Sequence, residues 1–159
     1  HLDLAMAKFK AGTTGCDLDY LARKALQEIG LDYNHGTGHG VGHVLSVHEG
    51  PQRISKLPNK YKLEPGMITS DEPGVYIEGE FGIRIENEIL CKEADGNADE
   101  LYFEMLTLCP YEPDAIISER LTEEERSYLN DYHKMVYSKL APLLEPEVRN
   151  WLRKVTAPL

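Results

Sequence analysis

The stretch HGTGHGVGH, residues 35–43, constrains this chain more than any other, because glycine occupies every second place in it. A helix is excluded there, since each interior glycine costs about 1 kcal/mol relative to alanine. If the stretch is extended, a period of two puts His35, Thr37, His39, Val41 and His43 on one face and only hydrogen atoms on the other. Such a ribbon requires either that another element approach its backbone closely or that its glycines adopt dihedrals closed to other residues. VLSVHEGP follows and adds His48, so four imidazoles fall within fourteen residues.

The flanks supply the frame. Leu18, Leu21, Ala22, Ala25 and Ile29 recur at helical spacing, which predicts a helix over 17–29 closed by a left-handed Gly30. HLDLAMAKFKAG reads as the back half of an amphipathic helix ending near Lys10. Its missing cap and front turn lead to the expectation that the chain is a piece of something longer. A short β-prone piece is expected at 44–47. LEPGMI sets a Pro-Gly turn before a strand leading to Asp71 and Glu72. EPGVYIEGEFGIRIENEILC then reads as turn, strand, glycine turn, strand. In the last of these strands Ile83, Ile85, Ile89 and Cys91 share one face, and Arg84, Glu86, Glu88 and Leu90 share the other. A purely structural strand with one wet face reads the same way and is the default, but Glu86 falls in the middle of this apolar-flanked strand, where a carboxylate, if buried, needs a cation.

The remainder reads as packing. LYFEMLTLCP is a mostly apolar strand ended by Pro110. Thr122 and Glu125 form a capping box for a helix whose stripe is Leu129, Tyr132, Val136 and Leu140. Pro146 opens a final helix with Val148, Trp151, Leu152 and Val155 on one side. His133 reads as a core-edge histidine rather than a ligand, because no second ligand type recurs beside it.

A net charge of −10 argues against binding a nucleic-acid backbone, which needs a basic footprint. No apolar stretch approaches the roughly 20 residues of a membrane span, and no signal peptide is read. Cys16, Cys91 and Cys109 are odd in number and far apart, which supports neither a disulfide framework nor a zinc knuckle. A reducing, cytoplasmic setting fits best, with neither nucleic acid nor membrane as a partner.

His35, His39, His43 and His48 with Glu72 and Glu86 make up an imidazole-plus-carboxylate set suited to zinc, manganese, cobalt or iron. There is no H-E-x-x-H pair on a helix, no G-x-G-x-x-G between strand and helix, and no nucleophile elbow. A metal site is the reading these residues support.

Three ordered motifs, HGTGHGVGH with VHEGP, then EPG-x-Y, then GIRIEN, resemble the metallopeptidases of the pita-bread fold. That group contains methionine aminopeptidase, prolidase and aminopeptidase P, and the likeness is closest to its eukaryotic cytosolic aminopeptidase P branch. LYFEMLTLCPYEP, LTEEERSYLNDYH and WLRKVTAPL extend it over essentially the whole chain, matching that branch's C-terminal extension.

The resemblance implies an α+β fold, the C-terminal half of the pita-bread architecture over 1–110, with a helical extension over 111–159. It implies His39, Glu72 and Glu86 as metal ligands, with Glu86 bridging two ions, and His35 and His48 lining the substrate site. Arg84 is implied to orient Glu86 from behind, and His43, where relatives carry a small residue, to be peripheral. Further implications are two divalent ions (manganese, with zinc or cobalt possible), peptides with proline second as substrates, and a homodimer. Glu72 in the ligand set can serve as a general base, and the histidines as donors to a developing oxyanion.

Two further ligands of that family are aspartates upstream of the first helix, and this chain has no place for them. Asp3 precedes the wrong element, and Asp17 and Asp19 lie on the capped helix. By itself the chain is therefore expected to bind at most one metal, weakly, and to turn over Xaa-Pro peptides negligibly. Three other readings compete with a fragment of an aminopeptidase. They are a non-catalytic pita-bread binding module, a related prolidase, and a mononuclear site of one His and two carboxylates.

Overall fold

The computed structural model describes residues 1–44 and 46–159. The chain divides into two compact units, His1–Thr107 and Leu108–Leu159.

The first unit opens with a single helical turn, α1 (Leu2–Ala5), followed by a strand, β1 (Lys8–Lys10), instead of a helix running on to Lys10. Phe9 is the reason. It is buried between two exposed lysines, pairs with Leu101, and packs its ring 5.0 Å from that of Phe103. An alternating pattern overrides a short helical one once a neighbouring strand supplies the hydrogen bonds. Next comes α2 (Gly15–Glu28), the expected helix started two residues early. Thr14 caps it, and Asp17 accepts the Thr14 N–H at 2.8 Å and hydroxyl at 2.7 Å. Gly30, at φ +77°, follows the C-terminal end in the left-handed region.

Beyond it, β2 (Gly38–His39) pairs antiparallel with β3 (Arg53–Ile54). Residue 45 of the expected piece at 44–47 lies outside the described residues, and Val44, Ser46 and Val47 are in no strand. The remaining strands are β4 (Ile68–Asp71), β5 (Gly74–Ile77), β6 (Phe81–Arg84), β7 (Asn87–Ala94) and β8 (Asn97–Met105). β1, β8, β7 and β4 form an antiparallel sheet in that order, and β5–β6 a separate ribbon. Ile89 and Cys91 alternate onto the face shared with Leu101, Phe103 and Met105, and all five are buried.

The strand expected to run unbroken over 83–91 is in fact two strands in two different sheets, parted at Ile85 and Glu86. Ile83 and Ile85 are exposed while Ile89 and Cys91 are buried, so the four do not share a face. Pro73 draws the chain aside by accepting the Ile85 N–H at 3.3 Å. Glu86 consequently stands exposed between the two strands and not within one. In the same region β8 stops at Met105, short of Pro110.

The alternation of β4 positions the site. Thr69 lies opposite Ile89 and Asp71 opposite Asn87. Asp71 is fully buried, and its Oδ2 meets His1 Nδ1 at 3.0 Å. Burial pushes the Asp71 carboxyl up, and His1 opposes that shift. Ser70 lies opposite Glu88, and its hydroxyl reaches Glu72.

The second unit contains α3 (Glu123–Leu140) and α4 (Pro146–Val155), with short 3-10 turns between and before them. The capping box forms as expected: Glu125 accepts the Thr122 N–H at 2.7 Å and donates its own backbone N–H to Thr122 Oγ1 at 3.2 Å. Leu129, Tyr132 and Val136 are buried. On α4 the expected apolar side is divided: Leu152 is buried while Val148 and Trp151 are exposed. Adjacent residues on a helix sit about 100° apart, so Leu152 and Trp151 cannot share one narrow contact. Among the described residues no helix is long and apolar enough to cross a membrane.

His133 is fully buried on α3. Its Nε2 accepts the Tyr111 N–H at 3.1 Å, so the proton of the neutral ring is on Nδ1, which is buried and has no hydrogen-bond partner among the described residues. Burial pushes the His133 imidazole below its ordinary range. The unfolded chain takes up that proton near pH 6.5 and the folded chain does so only at lower pH. Stability is thus expected to fall as pH drops from about 6.5 through the folded value, by up to about 1.4 kcal/mol per pH unit. Urea unfolding followed through Trp151 fluorescence at pH 7.5 and 5.5 measures this. If His133→Gln keeps the whole wild-type pH dependence, His133 is not its source.

Candidate metal centre

The glycine run and β4 together build the site. Glu72 donates its N–H to the Thr37 carbonyl at 2.8 Å, and Val41 donates to the Ile68 carbonyl at 3.2 Å. The run therefore lies against β4 backbone to backbone. A Cβ added to Gly38 would sit 1.8 Å from the Ser70 carbonyl oxygen, and one on Gly40 would sit 2.1 Å from that of Glu49. None of the four glycines of the run has a positive φ. Of the two requirements such a ribbon could have, close approach is the one that operates here.

His39 emerges from this contact, half-buried. The His39 N–H donates to Ser70 Oγ at 3.0 Å, and the Ser70 hydroxyl in turn donates to Glu72 Oε1 at 3.1 Å. A carbonyl oxygen can only accept, so the 3.0 Å contact between His39 Nδ1 and the Gly40 oxygen puts the ring proton on Nδ1. Nε2 is left with its lone pair facing Glu72 Oε1 at 3.2 Å. Two acceptors at that separation repel unless a proton or a metal cation lies between them. Hydrogen bonding at the far ring nitrogen is also the usual way a metal-ligating histidine is oriented.

His35 follows the same rule. Its Nδ1 donates to the Gly36 oxygen at 2.8 Å, and its Nε2 accepts from the Tyr76 hydroxyl at 2.9 Å. Arg84 Nε donates to that hydroxyl at 3.0 Å and lies 3.7 Å from Glu72 Oε2. A line of donors thus runs from Arg84 through Tyr76 to His35 beside the Glu72 carboxylate. His48 is exposed, with its ring centroid 4.1 Å from that of His39.

His35, His39, His48, Glu72 and Arg84 are therefore assembled in one place. Arg84 bonds Tyr76 and neighbours Glu72, and Glu86 also acts on it electrostatically. His43 is exposed on the loop. Among the described residues no three side chains of His, Cys, Asp or Glu converge on one point, so His39 and Glu72 form a two-point seat that Glu86 does not complete. One imidazole nitrogen and one carboxylate oxygen suit a borderline divalent cation.

Three members of the site carried no role in the sequence reading. Tyr76 was visible in EPG-x-Y, but only the fold brings its hydroxyl to His35. Ser70 gave no signal at all, because its importance lies in a hydrogen bond across to the glycine run. Glu88 lies across from Ser70, with one carboxylate oxygen buried and unpartnered among the described residues. Burial pushes its carboxyl up, His39 opposes this, and Glu86 and Glu72 add to it.

The sequence matches the profile described as "Metallopeptidase family M24" over residues 1–93 and that of the "C-terminal region of peptidase_M24" over 100–159. It is 45% identical to a probable Xaa-Pro aminopeptidase P of Coprinopsis cinerea, covering all of this chain and 27% of that protein. It is 43% identical to aminopeptidase P1 of Arabidopsis thaliana, again over its whole length and 26% of that protein. Among solved structures, the X-prolyl aminopeptidase of Caenorhabditis elegans superposes with a TM-score of 0.93 at 40% identity. It covers all of this chain and 27% of its own, and is described as a cytosolic enzyme with a di-nuclear active site. Prolidase from Pyrococcus furiosus superposes at 0.52 with 36% identity, over 64% of this chain and 28% of its own.

Proposed function

Because the chain belongs to metallopeptidase family M24 and spans about a quarter of the length of the relatives it matches, we propose that it is the C-terminal part of a dinuclear-metal aminopeptidase. The substrates are peptides with proline in second position, from which the first residue is released. Its fold is the C-terminal half of the pita-bread architecture, α+β with antiparallel sheets. The observation that carries the proposal is the facing pair of acceptors, His39 Nε2 and Glu72 Oε1 at 3.2 Å.

In this reading His39 and Glu72 would hold a divalent ion, and Glu86 would be a further ligand. Manganese is the proposed ion, and zinc or cobalt suit the same donors. When bound, such ions lower the pKa of a water and polarise the scissile carbonyl. Glu72, fixed by the Ser70 hydroxyl, accepts the proton of the attacking water. His35 and His48 line the substrate side, and a His35 imidazole that gains a second proton, on Nε2, would meet the negative charge that develops on the carbonyl oxygen in place of its contact with Tyr76. A homodimer and a cytoplasmic location belong to the same proposal, the second supported by the cytosolic nematode enzyme. Prolidase is the less favoured reading, since the prolidase from Pyrococcus furiosus leaves about a third of this chain unmatched while the aminopeptidase matches all of it.

The test is a chimaera in which this chain replaces the matching 27% of the nematode enzyme. It is expected to release the first residue of an Xaa-Pro peptide in the presence of Mn²⁺ and to lose that activity on Glu72→Ala. This chain alone is expected to show negligible turnover. A folded, Mn²⁺-loaded chimaera without activity would argue for a binding module instead.

A further inference from the structure

Arg23 lies on α2, outside the set of residues just described, and is 1% exposed. Four of its N–H groups are used: Nε on Asp19 Oδ2 at 2.6 Å, one terminal nitrogen on Asp32 Oδ1 and the Tyr33 carbonyl at 2.7 Å each, and the other on the His35 carbonyl at 2.8 Å. Its guanidinium carbon also sits 3.8 Å from the centroid of the Tyr33 ring. The second Asp19 oxygen accepts the Thr37 hydroxyl at 2.6 Å, and Thr37 Oγ1 accepts from the Tyr33 hydroxyl at 2.5 Å. The Thr37 carbonyl receives the Glu72 N–H. Asp19 and Thr37 are as deeply buried as the arginine.

We infer that Arg23 is a positioning residue, one buried guanidinium that fixes His35 directly and Glu72 through Asp19 and Thr37. The inference rests on the roles proposed for His35 and Glu72. Stability alone is a poor account of the arrangement, because replacing a buried ion pair with apolar residues of similar volume is often neutral or stabilising. An apolar residue could not hold two carbonyls of the segment entering the glycine run together with a carboxylate on the helix. Lysine could not either, because its ammonium is a point donor and not a planar fork.

The two arms are separable. Arg23→Lys keeps the charge but loses the fork, so it is expected to move the His35 ring signals in two-bond ¹H–¹⁵N NMR spectra and to weaken Mn²⁺ binding about tenfold. Thr37→Val leaves the guanidinium in place, so it is expected to weaken Mn²⁺ binding about tenfold and to move the His35 signals less than Arg23→Lys does, the remaining shift coming through the Tyr33 ring, which loses its Thr37 partner and lies 4.8 Å from the His35 ring. Far-UV circular dichroism and a cooperative melt establish that each variant is folded. A folded Arg23→Lys with wild-type His35 signals and Mn²⁺ affinity would overturn the inference. If Arg23→Lys does not fold, Thr37→Val decides, and unchanged Mn²⁺ affinity counts against the positioning role. If the wild-type chain binds no Mn²⁺, the metal reading fails, while the His35 signals in Arg23→Lys still decide the positioning role.

Discussion

Gly38→Ala is expected to destabilise the chain by at least about 3 kcal/mol, a large share of the 5–15 kcal/mol that holds an ordinary domain together. The added methyl would fall 1.8 Å from the Ser70 carbonyl oxygen, which is backbone in a paired strand and cannot swing aside as a side chain could. Relief requires β4 and the run to separate, which breaks the hydrogen bond from Glu72 N–H to the Thr37 carbonyl and draws Ser70 Oγ from the His39 N–H. Gly36→Ala is the control. Its methyl would meet nothing closer than the Ile54 carbonyl oxygen at 3.4 Å, so it should stay within about 1 kcal/mol of wild type. Urea unfolding of the two variants in parallel separates the readings. Equal stabilities would mean that the glycines are present for backbone freedom and not for close approach.

The second large effect concerns the metal. His39→Ala and Glu72→Ala are each expected to lower Mn²⁺ affinity more than about 100-fold. Loss of a hydrogen bond that merely orients a ligand costs 10–100-fold, so loss of a ligand costs more. Ser70→Ala should fall in that lower range, because the serine touches Glu72 Oε1 and the His39 N–H without itself being placed as a ligand. Electron paramagnetic resonance of free Mn²⁺ titrated with each variant reads these constants directly. A Glu72→Ala chain that binds Mn²⁺ like the wild type would remove the observation on which the proposed function stands.

The sequence reading reached α2, α3 and α4 through residues whose signal is local, and the histidines and carboxylate it singled out at 35, 39, 48 and 72 stand close together. The capping pairs Thr14–Asp17 and Thr122–Glu125 span three residues each, and their geometry is set within one helical turn. Where the reading went astray, the deciding partner was distant. Lys8–Lys10 became a strand because of residues 100–102, which no window around Phe9 contains. The break at Ile85 and Glu86 depends on a carbonyl at Pro73, and alternation carries no mark of which sheet each half joins. Glu86 was thus expected mid-strand and instead lies exposed between two strands. Arg23 looked like any arginine on an amphipathic helix. Its burial follows from Asp19, Asp32 and two loop carbonyls closing around it, which spacing alone does not announce.

The alternation of β4 has a consequence for how this stretch of chain can change. Asp71 and Glu72 are neighbours in sequence, yet Asp71 is buried against His1 while Glu72 meets His39. Side-chain direction along a strand has a period of two, so losing or gaining one residue between Met67 and Asp71 would turn each carboxylate to the face the other now uses. A gain would bring the shorter one to the place from which Glu72 meets His39, and a loss would press the longer one into the space that now fits an aspartate. A pairwise loss or gain would restore the order. At this strand, parity of length governs function more strictly than the identity of most of the residues that make up the length.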